Sequence, residues 1–250
     1  QRQMCIRDRD DAETTKQEWR DKGVYQVLED LYSEIWIYGN QEFYDPIREY
    51  DIAEPVSRKV RFTGYIPRKV PSSEAVLNIK REHGLQEGDK LVVVTTGGGG
   101  DGYAVMDAYL AMLESSAVPP AFKSILITGP FMPKSERKKV YKRARKLGVR
   151  MYHFYRQMEK VFAAADVVVS MGGYNTLCEI LNQGTISLVI PRESPRKEQL
   201  IRAQTFQRHN LTDYIPWDDL TPERLRDKLL KLLEDPKLYH DAIADFRFTG

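Results

Sequence analysis

Cysteine is nearly absent: Cys5 and Cys178 are the only two in 250 residues. Two cysteines imply no disulfide framework. Long hydrophobic runs are lacking too. None approaches the ~20 apolar residues of a membrane-spanning helix, and no secretory leader pattern is visible. Nor is there an excess of one charge. Lys and Arg total 38 against 36 Asp and Glu, a net +2, which gives no whole-chain case for nucleic acid or an anionic membrane. Histidine is scarce. His83, His153, His209 and His240 are expected in surface or supporting roles. What remains is the expectation of a cytoplasmic α/β protein, long enough for one large core or two smaller ones.

The chain lacks an initiator methionine. Its opening QRQMCIRDR resembles a translated sequencing adapter, so residues 1–9 are set aside as a non-native leader. The last stretch, DAIADFRFTG, shows no helix cap. The expectation is a piece of a longer protein in which residues 10–65 end one domain and residues 66–250 form another.

Hydrophobic periodicity predicts the elements. One helix is expected over 12–32 and strands at 34–39 and 60–63. The glycine- and proline-bearing stretch 64–71 reads as a linker. Beyond it, strands at 90–96, 124–129, 150–154, 166–171 and 186–191 alternate with helices at 103–115, 134–147, 157–165, a segment ending at Asn182, and 197–208. TPERLRDKLLKLLED, from Thr221, is an amphipathic helix with Thr221 as N-cap and Pro222 in the first turn. Continuous apolar strands alternating with helices predict a Rossmann-like parallel sheet covered on both faces. Ligands of such sheets sit at the carboxyl ends of the strands.

Two glycine turns fall at such ends. The first, TTGGGGDGY (95–103), contains Gly98 and Gly99. It lacks the Gly-Lys-Ser/Thr of a P-loop, and no acidic residue ends the next strand, so NAD is disfavoured. The second is MGGYNTLCEIL (171–181). Gly172 and Gly173 let an anion approach the backbone, and Asn175 and Thr176 open a helix whose N–H groups face it. Glu179 follows Thr176 by three residues, on the same face, where a carboxylate suits a ribose diol. The polar loop after the next strand, IPRESPRKEQ, places Arg192, Glu198 and Gln199 beside this turn, within reach of sugar hydroxyls or phosphate.

These segments resemble the carboxyl-terminal half of family 28 glycosyltransferases, over about residues 12–250 and most strongly 88–208. Within the family they are similar to the N-acetylglucosaminyltransferase of lipid II synthesis and to a bacterial group of predicted glycosyltransferases. The resemblance implies a GT-B fold, with residues 12–65 as the end of a largely missing first domain. It also implies a nucleotide-diphosphate-sugar donor, a UDP-sugar above all, and transfer of a hexosyl group to an acceptor hydroxyl with inversion. By position, Glu179 matches the ribose-holding glutamate, and Gly173 and Thr176 match the diphosphate turn. Glu198 and Gln199 match the pair that reads the donor sugar; the lipid II enzyme has two glutamines there. Phe154 and Tyr155 match the segment that reads the base edge. GGGGDG occupies the place of the family's glycine loop without its serine-glutamine. No metal or other cofactor is implied. The general base belongs to the first domain, so no catalytic residue is assigned. A lipid-linked acceptor and peripheral contact at the inner face of the membrane follow by analogy.

Two other functions share these features: a sugar-nucleotide epimerase of GT-B fold, and a non-catalytic nucleotide-sugar-binding subunit. The basic run KSERKKVYKRARKLG (134–148) reads as a solvated helix face, with an anionic lipid or nucleic-acid patch as the alternative. Met106, Leu110, Met112, Leu113 and Cys178 read as core.

Overall fold

The computed structural model describes residues 3–7, by their backbone, together with 10–116 and 118–249. The amino-terminal part holds strands β1 (Gln3–Arg7), β2 (Glu34–Tyr38) and β3 (Val60–Phe62) and helices α1 (Ala12–Asp21), α2 (Val24–Leu31), α3 (Pro46–Glu49) and α4 (Glu54–Ser57). The strands form a parallel sheet in the order β1-β2-β3. Part of the segment set aside as a leader thus pairs as a strand, Gln3 opposite Glu34 through Arg7 opposite Tyr38. Residues 1, 2, 8 and 9 lie outside the described residues. The single helix expected over 12–32 is two. Gly23 adopts φ +63°, a left-handed conformation that closes one helix and lets the chain restart at Val24.

The larger part begins with α5 (Ser73–Glu82), capped by Ser72, whose side chain accepts from the Ala75 N–H. It continues through β4 (Lys90–Thr95), α6 (Tyr103–Glu114), β5 (Phe122–Ile127), α7 (Lys134–Lys146), β6 (Arg150–Tyr152) and α8 (Met158–Ala164). After these come β7 (Val167–Ser170), α9 (Tyr174–Asn182), β8 (Ile186–Val189), α10 (Glu198–Arg208), β9 (Asp213–Tyr214), α11 (Pro222–Glu234) and α12 (Lys237–Asp245). The short β9 and the helices α5 and α12 are absent from the sequence reading. The six strands are all parallel, in the order β6-β5-β4-β7-β8-β9. Every residue of β7 and β8 is buried, which is why they read as unbroken apolar runs.

Strand order reverses between β4 and β7. Connections leave these neighbours in opposite directions, so their loops part and a crevice opens at the carboxyl ends. Both glycine turns, 97–102 after β4 and 172–173 after β7, flank that point.

The 64–71 stretch carries no regular structure yet is tied down. Asn182 donates to the Arg68 carbonyl at 2.8 Å and accepts from its N–H at 3.1 Å, and Gln183 donates to the Lys69 carbonyl. Tyr65 is buried against Phe206, Phe246 and Tyr174. Phe43 reaches the same cluster from the amino-terminal part. Met106, Leu110, Met112, Leu113 and Cys178 are core, as their spacing predicts. His83 is not a surface residue: it is buried, with Nδ1 2.9 Å from the Ile79 carbonyl and Nε2 3.1 Å from the Tyr152 hydroxyl.

Candidate functional site

A cleft of about 570 Å³ lies at the switch point. Its floor is Gly173, Tyr174, Asn175 and Thr176 at the start of α9; residues 96–101 form one wall and Arg192, Glu198, Gln199 and Arg202 the other. A cavity of about 660 Å³ opens at the opposite end of the sheet, beside the first residues of β4, β5 and β6 (Leu91, Phe122, Arg150). The carboxyl-end cleft is the candidate, because doubly wound sheets bind ligands there.

The glycine loop has its shape for steric reasons. Gly99 adopts φ +86°, and a Cβ there would stand 2.0 Å from the Thr128 carbonyl oxygen. Gly129 adopts φ +80°, and its Cβ would meet the Gly97 oxygen at 2.2 Å. The loops after β4 and β5 therefore interlock backbone to backbone, joined by Phe131 N–H to the Gly98 carbonyl (2.8 Å) and the Thr96 hydroxyl to the Thr128 carbonyl (2.9 Å). Gly97 also has positive φ, +62°, but faces space: a Cβ there would be 3.6 Å from Thr176 Oγ1. The Thr176 hydroxyl stands between the two glycine turns, since a Cβ on Gly173 would be 4.0 Å from it.

Gly172 has φ +73°, and a Cβ there would overlap Val189 Cγ1 at 2.6 Å. Its carbonyl accepts from Arg202 Nη1 at 2.8 Å. Arg202 is 2% exposed and its guanidinium lies 5.7 Å from the Tyr174 ring centre. Gly173 caps α9 without any side-chain cap. The first-turn N–H groups and the positive end of the helix dipole thus face the cleft.

On the far wall, the Arg192 N–H donates to Gln199 Oε1 at 2.9 Å. That contact fixes the amide, because only the oxygen accepts, and turns the Gln199 NH₂ toward other partners. The Arg192 guanidinium bridges Asp101 (3.1 Å) and Glu198 (3.5 Å). Its Nε is buried without a hydrogen-bond partner. One arginine therefore ties the loop after β4 to the start of α10, across the cleft.

Of the residues singled out in the sequence, Gly98, Gly99, Gly173, Asn175, Thr176, Arg192, Glu198 and Gln199 line the cleft, and Gly172 shapes it from behind. Glu179 sits one turn along α9, outside the lining, half-buried and 4.0 Å from Arg68 Nε. Burial raises its pKa above the usual carboxylate value, Arg68 opposes the rise, and Glu159 adds to it. Phe154 and Tyr155 also lie outside the lining. Phe154 is exposed, and Tyr155 packs edge-on against Tyr152 at 5.0 Å. Sequence reasoning missed Asp101 and Arg202 as cleft residues. Arg202 follows Gln199 by three in a helix, so the i, i+3 spacing points to it. Asp101 was hidden inside a run read only for its glycines.

A model of the glycosyltransferase family 28 C-terminal domain matches residues 73–248. The chain belongs to glycosyltransferase family 28. Its relatives include a UDP-N-acetylglucosamine--N-acetylmuramyl-(pentapeptide) pyrophosphoryl-undecaprenol N-acetylglucosamine transferase of Caldanaerobacter subterraneus subsp. tengcongensis. That enzyme is 27% identical over 198 residues, 74% of this chain and 51% of the relative. The enzyme of the same name from Clostridium kluyveri is 36% identical over 78 residues, 30% of this chain and 22% of that one. The family 28 chain thus spans about half the length of these relatives or less. Among solved structures, Anabaena Alr3699/HepE in complex with UDP and glucose superposes with a TM-score of 0.61 at 12% identity, covering 98% of this chain and 65% of that one. Acinetobacter baumannii MurG gives 0.55 at 14% identity, covering 93% and 72%. These likenesses show the fold, which is of the GT-B glycosyltransferase type.

Proposed function

We propose that the chain holds the donor of a glycosyl transfer: a nucleotide-diphosphate sugar, by the family resemblance a UDP-sugar, whose hexosyl group passes to an acceptor hydroxyl with inversion. The diphosphate lies over the Gly172-Gly173 turn, against the Thr176 hydroxyl and the uncapped N–H groups of α9. The ribose reaches Glu179, and its hydroxyls take the place of Arg68 beside that carboxylate. Phe154 and Tyr155 lie on the side of the base. The sugar meets Arg192, Glu198 and Gln199, which together offer donors and acceptors to hydroxyls. The observation that carries this reading is the meeting of both glycine turns, an uncapped helix start and the Thr176 hydroxyl at one switch-point cleft.

In the reaction the acceptor oxygen bonds to C1 as the bond from C1 to the diphosphate oxygen breaks. The electron pair leaves with the nucleoside diphosphate, and the acceptor proton passes to a base that is not assigned to this chain. The N–H groups and dipole of α9 stabilise the charge growing on the leaving diphosphate. The relatives' printed names carry a UDP-linked donor and a pyrophosphoryl-undecaprenol acceptor, which supports a UDP-sugar and a lipid-linked acceptor here.

Thermal-shift titration with UDP, GDP, dTDP and CMP tests the donor assignment. A nucleotide at ~100 times its dissociation constant adds about 2.7 kcal/mol of stability. The expected result is stabilisation by UDP that is lost in Glu179→Ala. A folded chain stabilised by none of the four would overturn the reading.

A further inference from the structure

The loop after β8, residues 190–197, carries Arg192 and ends at Lys197, the N-cap of α10. Glu198 and Gln199 follow at once, so their side chains go wherever that cap is placed. The loop has two anchors on the larger part. One is the Arg192 N–H on Gln199 Oε1; the other is Glu193 Oε1, which accepts from the Trp217 N–H at 3.0 Å. Its last two residues are held from the amino-terminal part. Arg196 Nη1 donates to Asp10 Oδ2 at 2.9 Å, and Nη2 to Glu18 Oε2 at 3.0 Å. The Lys197 backbone N–H donates to Asp10 Oδ1 at 3.1 Å, and its ammonium stands 3.8 Å from Asp11 Oδ2.

Asp10 is itself firmly placed. Its N–H donates to the Tyr50 hydroxyl at 2.8 Å, and its carbonyl accepts from the Tyr44 hydroxyl at 3.1 Å. Tyr50 is buried and packs on Trp19 of α1, ring centres 5.3 Å apart. Arg196 is half exposed and its partners partly so, and ion pairs of that kind add little to stability. What they fix is geometry. A planar guanidinium that donates to two carboxylates at once holds one orientation. The main-chain bond at Lys197, one residue before Glu198, sets where α10 begins. Side chains that read a ligand need placement to a fraction of an ångström, which such a tie supplies.

We propose that Asp10 and Arg196 are positioning residues for the donor sugar. Through this pair the amino-terminal part sets the start of α10 and aims Glu198 and Gln199 at the sugar. The inference rests on the reading that Glu198 and Gln199 meet the sugar. Neither Asp10 nor Arg196 lines the cleft, so both act through the loop. The diphosphate half of the cleft is built from elements of the larger part, the start of α9 and the Gly172 turn held by Arg202. Breaking the tie to Asp10 therefore touches the sugar and spares the nucleotide.

Calorimetric titration of the full chain with UDP, UDP-glucose and UDP-N-acetylglucosamine tests this. For whichever sugar nucleotide the parent binds more tightly, Asp10→Ala and Arg196→Ala should each weaken binding by about fivefold, the upper range for partly exposed charge pairs. Their UDP affinity should not change. The double variant should lose little more than either single one, because both break the same tie. Arg196→Lys, which keeps a cation for Asp10, should recover part of the loss. Melting temperatures should hold and certify the fold. A merely structural role would lower UDP and UDP-sugar affinity together, and that result overturns the proposal. So does unchanged UDP-sugar affinity in both single variants while UDP still binds, which would leave the donor reading standing. A folded parent that binds none of the three overturns that reading and this inference with it.

Discussion

Gly97 and Gly99 differ by two positions and share positive φ, yet the structure assigns them different jobs. Alanine at Gly97 would carry the backbone cost of a side chain in left-handed space, about 1 kcal/mol. Its nearest contact would be Thr176 Oγ1 at 3.6 Å, an ordinary distance. Alanine at Gly99 carries the same cost plus a Cβ 2.0 Å from the Thr128 carbonyl oxygen. No side chain can swing aside there, so the loops after β4 and β5 must part by about an ångström, a penalty comparable to overpacking a core, roughly 1–3 kcal/mol. For a chain of this size, 1 kcal/mol moves the melting temperature by about 2–4 °C. Gly97→Ala should lower it by that amount and Gly99→Ala by two to four times as much. Scanning calorimetry reads this directly. The nucleotide titration should invert the order of interest: Gly97→Ala folds well but places a methyl where phosphate approaches Thr176, and loses UDP stabilisation. Equal thermal losses, or a Gly97→Ala variant with unchanged UDP affinity, would refute the reasoning.

Glu179→Gln should weaken UDP affinity by roughly 30-fold, the value of one hydrogen bond to a charged group at about 2 kcal/mol, in calorimetric titration. The folded-state pKa of Glu179 is raised, chiefly by burial. Its stabilising contribution is therefore present below the unfolded value and lost as pH rises through the raised folded value. Glu179→Gln should remove that segment of the stability profile and make the free chain no less stable at neutral pH. UDP affinity of the parent should fall as pH drops through the same window, because the ribose needs the ionised carboxylate. Arg192→Ala breaks two partly exposed ion pairs worth about 0–1 kcal/mol in all. It should shift melting little but weaken UDP-sugar affinity more than UDP affinity. Arg202→Leu leaves the buried Gly172 carbonyl without its partner and should cost about 1–3 kcal/mol, with UDP affinity lost as the turn relaxes.

Much of the larger sheet was legible because β4, β7 and β8 are buried on both sides, and burial leaves only Val, Ile, Leu and small residues to read. The strand ends carried the site for a related reason. Gly99 and Gly172 are fixed by backbone geometry, with positive φ and no room for a Cβ, and backbone demands show in sequence. What was not legible depends on distant contacts. The break at Gly23 sits inside a continuous amphipathic pattern. Helix α12 is short and has no capping side chain. The Asp101–Arg192 bridge joins residues 91 apart in sequence. The tie between Arg68 and Asn182, 114 apart, turns an apparent linker into a packed strap beside Glu179. No local pattern announces such pairs; they exist only once the strand order has brought two loops together.

The central claim is that a nucleotide diphosphate sits at the switch point between β4 and β7. A crystal of this chain soaked with UDP tests it most directly. The account predicts difference density for two phosphates over Gly172-Gly173, within hydrogen-bond distance of the Thr176 hydroxyl and the first N–H groups of α9, with the ribose beside Glu179. UDP bound instead in the cavity at the amino-terminal ends of the strands, near Leu91 and Arg150, would contradict it.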